Sequence, residues 1–218
     1  MTGCLIKDLM LIKNQKQFLV IIGVIGLMML IIYDNPSFVF GYLTVMLSFL
    51  PITTLAYDDA ENGAAYLFSL PVTRRGYVAE KYLFSIGFTL VTGAVVYGVV
   101  WVGCLLKRYP IQAEEMGMLL LASLSISVLF LATAIPVQIR FGSERSRIAG
   151  AIVMCSLFVI CYGGARLLGA LSIDGETLER AAASIGTAGI AGLAITAWIV
   201  IYGISCLVSF RLIAKREF

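Results

Sequence analysis

The sequence has no histidine and few charged residues. Among its 218 residues 60% are apolar and 13% are charged, which is half of the ~25% usual for soluble domains. Without histidine, a Ser-His-Asp relay, a His-coordinated zinc site and a His-ligated haem are excluded. The net charge of +3 is too small and too dispersed for a surface that follows nucleic-acid phosphates. With a mean hydropathy of +0.96, this composition predicts an all-α protein that crosses a membrane several times.

Two motifs of soluble chemistry are also absent. The five cysteines form no Cys-x-x-Cys pair, and four of them lie in or beside apolar runs, where cysteine behaves as a small hydrophobic residue. There is no Gly-x-x-x-x-Gly-Lys-[Ser/Thr] phosphate loop and no Gly-Lys pair. The chain therefore cannot bind ATP in that way, and any ATP-driven function needs another polypeptide.

Uncharged apolar runs predict six transmembrane helices in a single domain, 1–218. A bilayer core of ~30 Å is crossed by a helix of ~20 residues. The predicted spans are 18–33, 38–57, 82–106, 116–139, 148–165 and 183–210. None of them contains Asp, Glu, Lys or Arg, which disfavours an ion-coupled carrier and a membrane-embedded enzyme.

The distribution of basic residues predicts the orientation. Six spans place both termini on one side of the membrane. If that side is cytoplasmic, 12 of the 16 Lys and Arg residues lie inside and 4 lie outside. The positive-inside rule therefore favours cytoplasmic termini.

The first residues predict an amphipathic helix that lies on the inner leaflet before the first span. Its apolar face consists of Leu5, Ile6, Leu9 and Ile12. Lys7 and Asp8 fall outside this face. The helix either anchors the chain to the lipid or contacts a partner, and both roles remain open.

The longest loop, 58–81, joins the second and third spans on the cytoplasmic side. Its semi-apolar stretch, 64–70, predicts about two turns of helix that end at Pro71. Thr73 is predicted to cap the helix that leads into the third span. A short helix with exposed apolar side chains flanked by charge suits docking in a groove of a cytosolic protein. The alternative is that it lies on the lipid headgroups.

Motifs in this region resemble the bacterial type-2 ABC transporter permease family. They are Tyr57-Asp58-Asp59, then Tyr66-Leu67-Phe68-Ser69-Leu70-Pro71-Val72-Thr73-Arg74-Arg75, then Lys81-Tyr82, with Leu5-Ile6-Lys7-Asp8-Leu9 at the start. In particular, the chain resembles the short six-span permeases of the phenol-soluble-modulin and bacteriocin exporter type. It departs from them at Ala64-Ala65, where relatives often have bulkier or charged residues.

The resemblance implies a permease subunit rather than an enzyme, in the cytoplasmic membrane of a bacterium. Two such subunits, identical or paralogous, would form the pathway. A coupling helix within 61–70 would dock on a cytosolic ATPase subunit, present in two copies, which would bind ATP and Mg²⁺; this chain would need no cofactor. The N-terminal helix would flank the same ATPase.

The residues expected to couple the permease to its ATPase come from the loop. The charged shell consists of Asp58, Asp59, Glu61, Arg74, Arg75, Glu80 and Lys81. The anchors expected to fill the groove are Tyr66, Leu67 and Phe68. The expected cargo is an amphipathic or hydrophobic peptide, because the uncharged spans would not pair a cargo's charges. The main alternative is a non-transport assembly or immunity protein that recruits a cytosolic factor.

Overall fold

The computed structural model describes residues 2–33, 35–59, 73–109, 112–170 and 175–214, and these are α-helical apart from short connections. The side chain of Asp59 and those of most residues between 143 and 185 are not described. The helices are α1 (Thr2–Asn14), α2 (Lys16–Ile32), α3 (Pro36–Asp59), α4 (Arg74–Lys107), α5 (Ala113–Ala170) and α6 (Gly175–Ala214). The prediction of an all-α protein is confirmed for the described residues.

Two of these helices are interrupted at a glycine. Gly142 in α5 has a φ of 71°, and Gly186 in α6 has a φ of 73°. A Cβ atom is strained in this left-handed region, whereas glycine adopts it readily. Each of the two helices therefore consists of two segments that meet at a kink.

Four segments of the described chain are long and apolar enough to cross a membrane. They are Pro36–Asp58, Arg74–Lys107, Ala113–Gly142 and Gly186–Ala214. α1 and α2 pass the same test as a pair, with a bend of 60° between them. The structure thus supports a multi-pass membrane protein. The predicted span 148–165 lies in α5 beyond Gly142, and the count of six spans stays a prediction.

α4 is longer than a membrane requires. Its 34 residues span about 51 Å at the helical rise of 1.5 Å per residue, against a hydrocarbon core of ~30 Å. Its uncharged run begins only at Tyr82. The first two turns, which carry Arg74, Arg75, Glu80 and Lys81, therefore lie beyond the apolar part of the helix.

The bundle packs around two apolar cores. α5 packs against α3 and α6, and α3 packs against α4. One core lies at the end of the bundle where α4 begins, and it includes Leu55, Tyr82, Leu131, Ile135 and Ile213. The other lies towards the opposite end and includes Val39, Phe40, Val96, Val100 and Met116.

Hydroxyl groups join α4 to α6 within the bundle. The Tyr82 hydroxyl lies 2.6 Å from Ser205 Oγ and 2.8 Å from Ser209 Oγ. One turn further on, Ser85 Oγ lies 2.7 Å from the Tyr202 hydroxyl. Such interhelical hydrogen bonds hold membrane helices together without a charge.

Large apolar side chains cover the outside of the bundle. On α2 they include Val20, Leu27 and Ile31, and on α6 they include Ile199 and Leu207. A soluble monomer rarely exposes so continuous an apolar surface. The surface is what lipid tails would cover, which agrees with the long apolar helices.

Candidate functional site

Three helices meet in a buried charge cluster at the end of the bundle where α3 finishes and α4 begins. α1 contributes Lys7 and Asp8, the last turns of α3 contribute Asp58, and α4 contributes Lys81. Asp8 is fully buried, and Lys81 and Asp58 are 2% and 7% exposed. Lys7 is partly exposed. These four residues are called the charge cluster below.

Lys81 lies at the centre of the charge cluster. Its Nζ atom is 2.5 Å from Asp8 Oδ2 and 2.9 Å from Asp58 Oδ2. It also lies 3.5 Å from Thr54 Oγ1 and 5.5 Å from the centroid of the Tyr77 ring. An ammonium group carries three donors, so two carboxylates and one hydroxyl use all of them.

Asp58 is shared by both lysines. Lys7 Nζ donates to Asp58 Oδ1, while Lys81 pairs with the other oxygen. The Tyr77 hydroxyl donates to Asp58 Oδ2 at 3.0 Å. Lys7 Nζ also lies 3.6 Å from Asp8 Oδ1. Two ammonium groups and two carboxylates therefore surround one another, and their formal charges cancel.

The charge cluster fixes helix positions more than it adds net stability. The cost of removing charges from water largely offsets the attraction within a buried ion pair. If one partner is lost, however, the other remains as an unpaired buried charge, which is strongly unfavourable. Any displacement of α1, α3 or α4 that separates these groups meets the same penalty.

The structure buries one part of the predicted apolar face of α1 and leaves the other part exposed. Ile12 and Leu5 pack inward with Leu50 and Phe84, whereas Ile6 and Leu9 are exposed. Asp8, which lies outside that face, also points into the bundle because Lys81 provides a partner there. Among the described residues, a small apolar cluster and the charge cluster thus hold α1 on the bundle.

Glu80 is buried next to the charge cluster without a hydrogen-bond partner. The residue is 2% exposed, and neither of its carboxylate oxygens accepts a hydrogen bond from the described residues. All four members of the charge cluster are its electrostatic neighbours. Glu80 is an additional carboxyl group beside the two lysines, and in the described part of the chain it lies inside the bundle.

The start of α4 agrees with the predicted cap. Thr73 precedes the helix, and its Oγ1 accepts a hydrogen bond from the Gly76 amide at 3.1 Å. Arg74 and Arg75 follow on the surface, where both line a cavity beside the end of α6. Arg74 reaches the Ile213 carbonyl of α6 at 3.5 Å. The structure therefore places both arginines beside α6.

Several predicted coupling residues lie outside the described residues. They are Glu61, Tyr66, Leu67 and Phe68, together with the side chain of Asp59. The coupling helix expected within 61–70 thus stays a prediction. Asp58 and Lys81 lie on either side of this stretch of chain, so the charge cluster joins the helices at both ends of the loop.

Two members of the site were missed by the sequence analysis. Tyr77 precedes Lys81 by four residues and Thr54 precedes Asp58 by four residues. Side chains four residues apart lie on the same face of a helix. This spacing was the available signal that both would face the charged groups.

The chemistry of the site is that of a structural contact between helices. Its ammonium and carboxylate groups neutralise one another, and its hydroxyl groups complete their hydrogen bonds. In the described ranges, no group of three or more cysteine, aspartate or glutamate residues has a geometry that could hold a metal ion. The arrangement joins α1, α3 and α4 to one another.

The chain matches a known protein family over nearly its whole length. The family described as ABC-2 family transporter protein matches residues 3–214. This range includes the charge cluster and the whole loop between α3 and α4. No curated protein and no solved structure matches the chain.

Proposed function

The chain belongs to the ABC-2 family of transporter membrane proteins, and from this premise we propose that it is the membrane-spanning subunit of an ATP-driven exporter. Its partner is a cytosolic ATPase subunit in two copies, which binds ATP and Mg²⁺. The sequence of this chain contains no phosphate-loop motif, which supports the assignment of ATP binding to a separate subunit. The membrane in question is the cytoplasmic membrane of a bacterium, with both termini on the cytoplasmic side.

The observation that carries the proposal is the position of the charge cluster at both ends of the loop. Asp58 precedes the loop, Lys81 follows it, and both contact α1 through its charged residues. A force applied to the loop by an ATPase would therefore move α1, α3 and α4 together. ATP binding closes the ATPase dimer, and the loop passes that movement to the spans.

The proposed cargo is an amphipathic or hydrophobic peptide such as a toxin, a bacteriocin or an antimicrobial peptide. Support comes from the predicted spans, which carry no Asp, Glu, Lys or Arg to pair with a charged cargo. Polar groups between α4 and α6 are hydroxyls, as at Tyr82 and Ser205. A second permease subunit, identical or paralogous, completes the pathway in this proposal.

Co-purification with a triple variant tests the proposed ATPase dock. Tyr66→Ala, Leu67→Ala and Phe68→Ala together should release the ATPase subunit while the purified permease keeps its thermal stability. The reason is that an apolar anchor in a groove supplies most of the energy of such a contact. The measurement is the amount of ATPase retained with the tagged permease in mild detergent, followed by mass spectrometry.

The matched control removes three aromatic groups from the other end of the bundle. Tyr33, Phe38 and Tyr109 are exposed there, and their replacement by Ala should leave ATPase retention unchanged. Equal retention in both triple variants would exclude 66–68 as the dock. If no protein with a phosphate loop accompanies the unmodified chain from its native membranes, the exporter proposal fails, and recruitment of another cytosolic factor takes its place.

A further inference from the structure

A basic cavity lies between the start of α4 and the end of α6. Its volume is about 640 Å³. Three arginines and four apolar residues line it: Arg74, Arg75, Leu207, Phe210, Arg211, Ile213 and Ala214. The cavity is separate from the charge cluster, whose members are absent from this lining.

The electrostatics of the cavity favour an anion. Arg74 and Arg75 come from α4 and Arg211 comes from α6, so two helices bring like charges to one concave surface. No acidic side chain belongs to the lining in the described part of the chain. The first turn of α4 adds the positive end of a helix dipole. A phosphate group fits this set because guanidinium groups bind its oxygens in a bidentate manner.

The apolar wall indicates that the anion carries a hydrocarbon chain. Leu207 precedes Arg211 by one helical turn within the span Gly186–Ala214, so it lies deeper in the membrane than the arginine. Leu207 is 63% exposed, and Phe210 continues the same wall. The cavity therefore offers positive charge at the headgroup level and apolar contact below it.

We propose that this cavity binds an anionic phospholipid. The phosphate lies on Arg74, Arg75 and Arg211, and one acyl chain follows Leu207 and Phe210. This assignment gives the two α4 arginines a lipid ligand in place of the ATPase expected from the sequence. Lipid binding concerns the membrane subunit alone, so its test does not depend on whether the exporter proposal is correct.

Lipid retention by the purified full-length chain tests the assignment. In native mass spectrometry, phosphatidylglycerol should remain bound at concentrations at which phosphatidylcholine does not. Each basic residue near an anionic lipid contributes severalfold to binding, so Arg74→Gln, Arg75→Gln and Arg211→Gln together should lower the affinity for phosphatidylglycerol by at least about tenfold. The double variant Arg75→Gln and Arg211→Gln keeps the Arg74 bond to α6 and should show the larger part of that loss.

A charge-matched control separates the cavity from general attraction to anions. Lys13, Lys16 and Arg140 are exposed and lie outside the cavity. Their replacement by Gln removes the same net charge and should leave phosphatidylglycerol binding within about twofold of the unmodified chain. Equal losses in the two triple variants would overturn a specific site.

Two further measurements show whether the ligand of the cavity is a lipid, a free phosphate or a protein. Deacylated phosphatidylglycerol should compete weakly, and Leu207→Gln should weaken lipid binding because it makes the exposed apolar wall polar. Full competition by the deacylated headgroup would overturn the acyl contact. If the double arginine variant retains lipid normally but loses the ATPase, the arginines bind a protein and the lipid assignment is wrong.

Discussion

Lys81 shows how one side chain can join three helices. Its ammonium group reaches Asp8 on α1 and Asp58 on α3 from its own position on α4. No aliphatic residue could replace it alone, because both carboxylates would lose a buried partner. The residue therefore constrains helix geometry through charge balance rather than through buried apolar area.

Replacing Lys81 by Met should destabilise the bundle strongly. Asp8 and Asp58 would lose their buried cation and keep the partly exposed Lys7 and the hydroxyl groups of Thr54 and Tyr77. The loss of one partner from a buried pair costs about 3–5 kcal/mol. The measurement is thermal unfolding of the purified chain in detergent. The control is Lys16→Met, which removes an exposed lysine from the start of α2 and should change the stability by less than about 1 kcal/mol.

A double variant tests whether charge balance is the cause. Asp8→Asn combined with Lys81→Met leaves one lysine and one aspartate in the charge cluster, and it should unfold at a higher temperature than Lys81→Met alone. Strictly additive losses from the two substitutions would show that the groups do not interact, contrary to this account.

The sequence analysis reached part of this site and could not reach the rest. It named Asp58 and Lys81 from motifs at the two ends of the loop, and Lys7 and Asp8 from the motif near residue 5. It could not pair Asp8 with Lys81, because they are 73 positions apart and the pairing depends on how α1 folds back against α4. Helical spacing did contain the information that Tyr77 shares a face with Lys81.

At the scale of the helices, several uncharged runs lie within long helices of the structure, whereas the interruptions of α5 and α6 have no counterpart in those runs. The second, third and fourth predicted spans lie within α3, α4 and the first part of α5. Burial of a charge in lipid is so costly that an uncharged run delimits a span. The breaks at Gly142 and Gly186 have no such signal, because the chain has 21 glycines and others, such as Gly150, lie in regular helix.

The break at Gly142 should depend on glycine. Gly142→Ala places a Cβ at a φ of 71° and a ψ of −178°, a backbone region that is essentially restricted to glycine and costs other residues about 1–3 kcal/mol. The melting temperature of the purified chain should fall accordingly. In contrast, Gly150→Ala lies in the helical part of α5 with open space around its Cβ, and it should be neutral or stabilise by up to about 1 kcal/mol. Equal effects at both positions would contradict a special role for Gly142.

At the scale of the whole molecule, the two ends of the bundle differ in character. One end carries the buried charge cluster and the arginine-lined cavity. The opposite end has an exposed pair of stacked aromatic rings at Tyr33 and Phe38, with Lys107 bonded to the Tyr33 carbonyl at 3.0 Å. We expect the first end to face the cytoplasm, because most basic residues lie on that side of the predicted topology.

Labelling of single cysteines tests both the orientation and the number of spans. In a chain whose five native cysteines are replaced by serine, six spans predict that Arg108→Cys and Glu176→Cys react with an impermeant maleimide in intact cells. Lys13→Cys should react only after permeabilisation. If Glu176→Cys behaves like Lys13→Cys, the run 148–165 does not cross the membrane. Labelling of Lys13→Cys in intact cells would reverse the orientation.

The way α1 is held has a consequence for the biosynthesis of the protein. Asp8 is synthesised before its partner Lys81, which follows 73 positions later in the chain. Until the start of α4 has emerged, Asp8 lacks the buried ammonium group that pairs with it in the folded protein. α1 is therefore translated before α3 and α4 but can reach its final place only after both of these helices have begun to assemble.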